Sequence, residues 1–430
     1  MLLNRKAFAL LASGLLVLSA AACSSKSSGG KSGGTTQPAS SSGSSTTGTP
    51  IKIGMIAPVN APITSDNHWV AAVRAAMATV NSQGGVKGRP LQLDFCNEAN
   101  DANKGAACAR DIAASDDVAT IGVVSPFAGT AVTQVLSAAG MANIGYLTLQ
   151  PQEYAATNNF PSNSGGVFFQ SASVVGALKS DSSLKKVAIV ANEGPQSQPI
   201  VNAITKATGN AGGTVATTVL LPLTTIADYT PYAQKIIKSG AQLTALALAG
   251  STAAGIMKAV HQLGGNTVFA SSASIIPVIA AKQLGSLANG MYLGSPTPWI
   301  NDATTYPGVK DFAASMKSAQ DHGDSDADLT KSDPFAALDW LNVLQLRDVL
   351  TNIVDSGQQI TRASILAAFS SAKNLKTYNL VKSPWSPSVK QTALPKFQNA
   401  SITEVYLLKL QDGKASLASN DPIEMSQYLK

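Results

Sequence analysis

The stretch Val80-Asn-Ser-Gln-Gly-Gly-Val-Lys-Gly-Arg-Pro-Leu-Gln-Leu93 turns a helix into a strand. Gly84 and Gly85 supply the left-handed conformation that a helix carboxyl terminus needs, and Gly88 shapes the turn that follows. Upstream, Val70, Val73, Ala76, Met77 and Val80 recur at helical spacing, which predicts a helix from His68 to Asn81 with Asp66 or Asn67 as its cap. Before it, Ile51-Lys-Ile-Gly-Met-Ile-Ala57 is short, largely apolar and closed by Pro58, as a strand buried on both faces would be. Downstream, Leu91–Phe95 reads as the next strand.

The alternation continues outward. A helix over Asn103–Ala114, a strand over Val118–Val124, a helix over Ala131–Ala139 and a strand over Ile144–Leu149 are expected. Strand–helix alternation of this kind builds a doubly wound parallel sheet. The rhythm restarts at Lys186–Ala191, a strand, followed by a helix over Pro199–Thr208 and a strand over Gly213–Leu221. Helices at Tyr229–Ser239 and Ala253–Leu263 flank the apolar strand Leu243–Leu248, and Val268–Ala270 and Ile279–Leu284 complete a second set. The fold class is therefore α/β with two doubly wound lobes. Later, Phe335–Leu350 and Ser364–Ser370 read as helices and Thr403–Leu410 as a strand, pieces that return to complete both lobes.

The helix-ending stretch at 80–93 closely resembles a signature of the branched-chain amino-acid-binding (Leu/Ile/Val-binding-like) family of ABC transporter substrate-binding proteins. The resemblance continues in Asn97-Glu-Ala-Asn-Asp-Ala-Asn-Lys104, Asp228-Tyr-Thr-Pro-Tyr-Ala-Gln-Lys235 and Leu263-Gly-Gly-Asn-Thr-Val-Phe269, and covers about residues 51–410. It implies a type I periplasmic binding protein fold, two lobes joined by three crossovers near residues 170, 296 and 390. The expected division is 51–170 plus 297–385 for the first lobe and 171–296 plus 390–430 for the second. A small solute would bind between them at the carboxyl ends of the strands, and lobe closure would be read by a permease in the membrane.

The amino terminus reads as an address. Met1-Leu-Leu-Asn-Arg-Lys6 is basic, Ala7 to Leu18 is apolar, and Ser19-Ala-Ala-Ala-Cys23 follows, the pattern of a signal peptide over residues 1–22. A Cys after small residues resembles the lipobox of bacterial lipoproteins, which makes Cys23 the expected lipidation site; Ala20 stands where that motif usually has Leu. Ordinary signal cleavage nearby is the alternative. Residues 24–50 are almost wholly Ser, Gly, Thr and Lys and close on Pro50, a tether without the apolar surface to fold. An exported body held at the outer face of the cell membrane is expected.

Charge and cysteines fit that location. The net charge is +6, but residues 1–50 hold four of the 31 Lys and Arg and none of the 25 acids, which leaves +2 for the remainder. That balance, with no basic cluster in the body, argues against a nucleic-acid partner. Cys96 and Cys108 both lie in the exported part, where disulfides persist, and are expected to pair; two buried free thiols are the alternative. His68, His261 and His322 show no metal spacing, nothing calls for a cofactor, and a monomer is expected.

In relatives the loop after the third strand presents hydroxyls and backbone N–H groups to the ligand. Here it reads Val124-Ser-Pro-Phe-Ala-Gly-Thr130, so Ser125, Phe127 and Ala128 are candidate ligand residues, in a loop that suits an anion or polar oxygen. Phe127 is bulkier than the family's small polar residue and offers a stacking face. Thr148 is the candidate from the fourth loop, with Tyr146 close by. From the second lobe come Gln196, where the family often has Tyr, Ser251, and Ser272 and Ser274 of Ser271-Ser-Ala-Ser274. Amino-acid-binding members place an acid in that last segment to pair with the ligand ammonium. This chain has hydroxyls there, and Glu193 is the nearest substitute. A neutral amide, a polyol or an organic acid fits at least as well as an amino acid.

Two other classes were weighed. Ser182-Ser-Leu-Lys185 with Lys238-Ser-Gly240 superficially matches the Ser-x-x-Lys and Lys-Thr-Gly elements of penicillin-binding hydrolases. That chemistry needs the serine at the start of a buried helix, whereas Ser182 is expected in a polar connection, so the chain is read as a receptor and not an enzyme. The same receptor fold also serves extracellular sensors, which sequence does not separate from import.

Overall fold

The computed structural model describes residues 46–430 apart from 195, 196, 249, 299–302 and 393. The signal-peptide stretch, Cys23 and Gln196 lie outside the described residues. So does the tether up to residue 45. Its last residues are docked: the Gly48 N–H donates to the Gly88 carbonyl at 3.0 Å, and Arg89 Nε to the Thr49 carbonyl at 2.8 Å.

The first sheet has five strands: β1 (Ile51–Ala57), β2 (Leu91–Asn97), β3 (Ala119–Ile121), β4 (Asn143–Ile144) and β5 (Asn159–Phe160), in the order β2-β1-β3-β4-β5 and parallel throughout. Between them run α1 (Asn67–Ser82), α2 (Ala102–Ala114), α3 (Gly129–Ala138) and the short α4 (Pro151–Ala155). β1 is buried along nearly its whole length, as its apolar run requires, with Lys52 turned out to Asp116 at 2.8 Å. Gly54 brings α2 close, since a Cβ there would stand 2.7 Å from Ile112 Cγ2.

The second sheet contains β6 (Lys186–Asn192), β7 (Thr214–Leu221), β8 (Leu243–Ala247), β9 (Val268–Ser272), β10 (Tyr292–Ser295), β11 (Glu404–Gln411) and β12 (Lys414–Leu417) in the order β12-β11-β10-β9-β8-β6-β7, with β13 (Ile423–Glu424) against β11. β6 to β10 run parallel, and β11 closes the parallel part antiparallel to β10. Its helices are α5 (Gly166–Ser180), α6 (Gln198–Asn210), α7 (Thr230–Lys238), α8 (Gly250–Gln262) and α9 (Val278–Leu284), with α13 (Ser426–Leu429) at the end of the chain. α5 packs across β8 to β11, so the first crossing between lobes occupies residues 161–165.

The chain then returns. α10 (Gly308–Asp321) and α11 (Pro334–Asp355) both pack on α1, and α12 (Arg362–Ser371) packs on α11. Arg74 of α1 grips Asp324 through Nε and Nη2 at 2.8 and 3.0 Å. Arg362 donates to the carbonyls of Ala113, Ser115 and Asp117 at the entry to β3. The chain thus passes between the two sheets twice more, after β10 and before β11. Residues from all three passages, among them Ser162, Ser164, Pro296, Ser383 and Ile402, meet Gln345 of α11 around a cavity of ≈ 20 Å³.

Two of the departures from expectation have a direct physical cause. The strand predicted over Ile144–Leu149 leaves the sheet after Ile144, because Gly145 takes φ +71° and turns the backbone over α11, where a Cβ would stand 2.2 Å from Asn342 Nδ2. α5 lacks a helical hydrophobic stripe because it is buried nearly all round, from Val167 to Leu178.

Candidate functional site

The chain leaves the first sheet after β5 and the parallel part of the second after β10, so the loops that follow β1 to β4 and those that follow β6 to β9 lie at the strand ends from which the chain passes between the sheets. On the first lobe one loop organises its neighbours. Residues 97–101, between β2 and α2, bond to the loops on either side. Asn97 exchanges hydrogen bonds with the Val59 backbone, accepting from its N–H at 3.0 Å and donating to its carbonyl at 2.8 Å. Asn100 Oδ1 accepts from the N–H groups of Ile63 and Thr64 at 2.9 and 3.1 Å. Glu98 reaches the opposite way and accepts from Ser125 Oγ at 2.5 Å. Asp101 caps α2 through the N–H groups of Asn103 and Lys104. The Cys96–Cys108 disulfide, Cα–Cα 5.6 Å, clamps the base of this loop to α2 as the sequence predicts.

Ser125 is buried and Ala128 immediately precedes α3, while Phe127 between them is 38% exposed. This tight approach depends on Gly105 of α2. A Cβ there would lie 2.6 Å from Ala128 Cβ and 3.1 Å from both Glu98 Oε2 and Ser125 Oγ. Thr148 is fully buried, packed against Gly165 at the first crossing, and its carbonyl accepts from the Gly166 N–H at 3.2 Å. Tyr146 is buried beside Thr133 and Glu153.

On the second lobe Ser272 and Ser274 share a hydrogen bond at 3.0 Å, and Ser271 is turned inward to the Leu246 carbonyl at 2.8 Å. Ser251 is exposed in the first turn of α8. The two loops lie together: a Cβ on Gly250 would stand 2.6 Å from the Ile275 carbonyl oxygen. Glu193 is exposed after β6. Ser125, Phe127, Ala128 and Thr148 thus stand on one lobe, and Ser251, Ser272 and Ser274 on the other. Among the described residues no hydrogen bond joins the two groups.

The first lobe's strand ends also carry buried acids that sequence reading did not select. Burial raises Glu98 above the usual carboxylate range, against the Ser125 hydroxyl and the nearby Asn100 amide, which favour its ionised form. Its Oε1 has no partner in hydrogen-bond geometry. Burial pushes Glu153 up to about 7, opposed by the Leu149 and Gln150 N–H groups that donate to its Oε2 at 2.6 and 3.1 Å. Asp66 is pushed up to about 7 by burial, against the pull of His68. His68 is itself raised: burial opposes its protonation, but Asp333, 3.0 Å from Nε2, and Asp66 outweigh it. Asp333 Oδ1 meanwhile caps α11 through the Phe335 and Ala336 N–H groups and accepts from Trp69 Nε1 at 3.0 Å. Asp339 lies beneath Gly122 at the end of β3 and is raised well above its ordinary value by burial. Of these acids only Glu98 falls in a stretch singled out from the sequence, Asn97–Lys104, and nothing there marks it as buried. The acids converge only once residues 66, 98, 153 and 333–339 are folded onto one sheet edge.

The hydrolase elements lie elsewhere. Ser182 and Lys185 belong to an exposed turn before β6, and Lys238 ends α7, both at the amino ends of the strands. No helix among the described residues is long and apolar enough to cross a membrane.

A family model described as "Periplasmic binding protein" matches residues 50–414. The chain belongs to this family. The chain is 28% identical to the Leu/Ile/Val-binding protein homolog 3 of Brucella melitensis; the aligned 166 residues are 38% of this chain and 45% of that protein, so the match spans under half of that relative's length. Solved structures share the fold at low identity. The fatty acid ABC transporter substrate-binding protein from Thermomonospora curvata superposes with a TM-score of 0.72 at 15% identity, over 90% of this chain and 96% of its own. The solute-binding protein from R. palustris in complex with 4-hydroxybenzoate gives 0.70 at 18%, over 88% and 97%. As a periplasmic binding protein the chain has the two-lobed, mixed α/β architecture of the type I fold.

Proposed function

We propose that this periplasmic binding protein is the extracytoplasmic receptor of an ABC importer, closing its lobes on a small polar solute and handing that solute to a membrane permease. The observation that carries the reading is the pair of strand-end faces set across three crossings. Ser125 on one lobe and Ser251, Ser272 and Ser274 on the other stand at these strand ends and are the hydroxyls we assign to the solute. Such an arrangement binds between lobes and converts binding into closure. The family match and the similarity to solute-binding proteins support reading the chain as a binder that releases its solute unchanged. Similarity to transport proteins such as the fatty acid receptor supports the import assignment. Export and a lipid anchor at Cys23 belong to the same proposal, as do a monomeric state and the ligand roles of Phe127, Ala128, Thr148 and Gln196.

A thermal-shift screen of the full chain tests this. A bound solute at a hundredfold its dissociation constant adds about 2.7 kcal/mol of stability. A compound that raises the melting temperature and is recovered intact is the expected result; a compound consumed during incubation overturns the reading.

A further inference from the structure

The first lobe's side of the cleft is an acceptor surface. The proton of the Ser125 hydroxyl is committed to Glu98, so Ser125 has only lone pairs left for a ligand. The start of α3, which offers N–H groups to an anion in principle, already faces a carboxyl group: a Cβ on Gly129 would stand 2.1 Å from Glu153 Oε1. Behind the two loops lie Glu98, Glu153, Asp333 and Asp339, each at most 5% exposed, with Asp66 beside them. His68 is the one cation-forming group that pairs with them among the described residues, and it is held by Asp333. Glu98 Oε1 is buried without a partner in hydrogen-bond geometry, on the segment that bonds to the loops carrying Ile63 and Phe127.

Apolar surface is exposed at the same place. Ile63, on the loop after β1, is 45% exposed and Phe127, on the loop after β3, is 38% exposed. Both loops are fixed to residues 97–101, so neither side chain is there through a floppy connection. An exposed aromatic ring attracts cations through its face, and carboxyl groups on the same lobe add to that attraction through their field.

Building on the receptor reading above, we propose that the cleft selects an organic cation with an apolar face, an amine or quaternary ammonium without a carboxylate of its own. Phe127 and Ile63 receive the apolar face, and Glu98, acting with Ser125, is the acid that the second lobe's Ser271–Ser274 segment lacks. A carboxylate ligand would meet acids it cannot pair with, at a cost that desolvation magnifies. A cation would instead draw the buried carboxyls into their ionised form, so binding should release protons.

The test is calorimetric titration of the full chain with a matched set: phenethylamine and phenyltrimethylammonium as cations, 3-phenylpropionate as anion, 3-phenylpropan-1-ol as neutral control. Titrations in two buffers of different ionisation enthalpy count protons. The expected result is binding of a cation with proton release, affinity rising between about pH 5.5 and 7.5 by up to about tenfold for each proton released per pH unit. Glu98→Gln should weaken it about tenfold or more. The melting temperature of Glu98→Gln, measured alongside, separates loss of binding from loss of fold, and Phe127→Ala, at an exposed position, provides a second variant. Tighter binding of the anion or the alcohol, affinity that falls with pH, or full affinity in folded Glu98→Gln overturns the proposal. If the anion binds and closes the lobes, the receptor reading stands and the charge selection alone fails. If no member of the set binds, the charge selection also fails, while the receptor reading is still decided by the wider screen.

Discussion

Ser125 donates its hydroxyl proton to Glu98 at 2.5 Å, and this bond ties the loop after the third strand to the end of the second. Both partners are buried, so the bond is made where an unmet carboxylate oxygen is costly. Removing the donor strands Glu98 Oε2. Ser125→Ala should therefore lower stability by about 1–3 kcal/mol. In a double-mutant cycle by urea unfolding, adding Glu98→Gln should recover part of that loss; strictly additive losses would show that the two residues are not coupled.

Stability should also fall as pH rises. A carboxyl whose folded-state pKa exceeds its unfolded value holds the proton more tightly when folded, so stability declines between the two values and levels off above the higher. Asp66 and Glu153 are raised to about 7 and Asp117 to about 6, all chiefly by burial. His68 acts in the same direction, since its pairing with Asp333 weakens once the imidazole loses its proton. The melting temperature is expected to be higher near pH 5 than near pH 8, with the decline between about pH 4.5 and 7. Glu153→Gln keeps an acceptor for the Leu149 and Gln150 N–H groups and should make the decline shallower. An equally steep profile would show that Glu153 is not raised.

The disulfide closes a loop with a sequence separation of 12 residues. Closure on that scale stabilises by about 3 kcal/mol in the chain-entropy description. Replacing Cys96 and Cys108 by Ser should cost about that much in denaturant unfolding. Peptide mapping of the unreduced chain should find the two linked, and two free thiols would contradict this.

Cys23→Ala should release the protein from the membrane fraction, because a lipid chain and not a hydrophobic span is the proposed anchor. Unchanged fractionation would remove the lipid anchor from the account.

Much of the fold was legible because its strands and helices are locally marked. Ile51–Ala57 and the Gly84-Gly85 turn read directly from apolar runs and glycine punctuation, and β1 and α1 form where expected. α5 escaped because a helix buried on all sides has no periodic stripe. α10 did carry a usable signal, Val309, Phe312 and Met316 at helical spacing, all buried against the first lobe. The site was less legible. Ser125 and Phe127 stand in a loop whose place is set by local order, but Glu98 meets Ser125 across 27 residues of sequence, and Asp333 meets His68 across a much longer interval. Those pairings exist only through the sheet order and the returning α11, which no local pattern encodes.

The central claim is that binding and lobe closure are one event. Small-angle X-ray scattering of the full chain, with and without a saturating solute from the thermal-shift screen, measures it most directly. The account predicts a smaller radius of gyration in the bound form, because hinge closure brings the two sheets together. A radius unchanged at demonstrated saturation would contradict it, leaving a two-lobed protein that binds without closing.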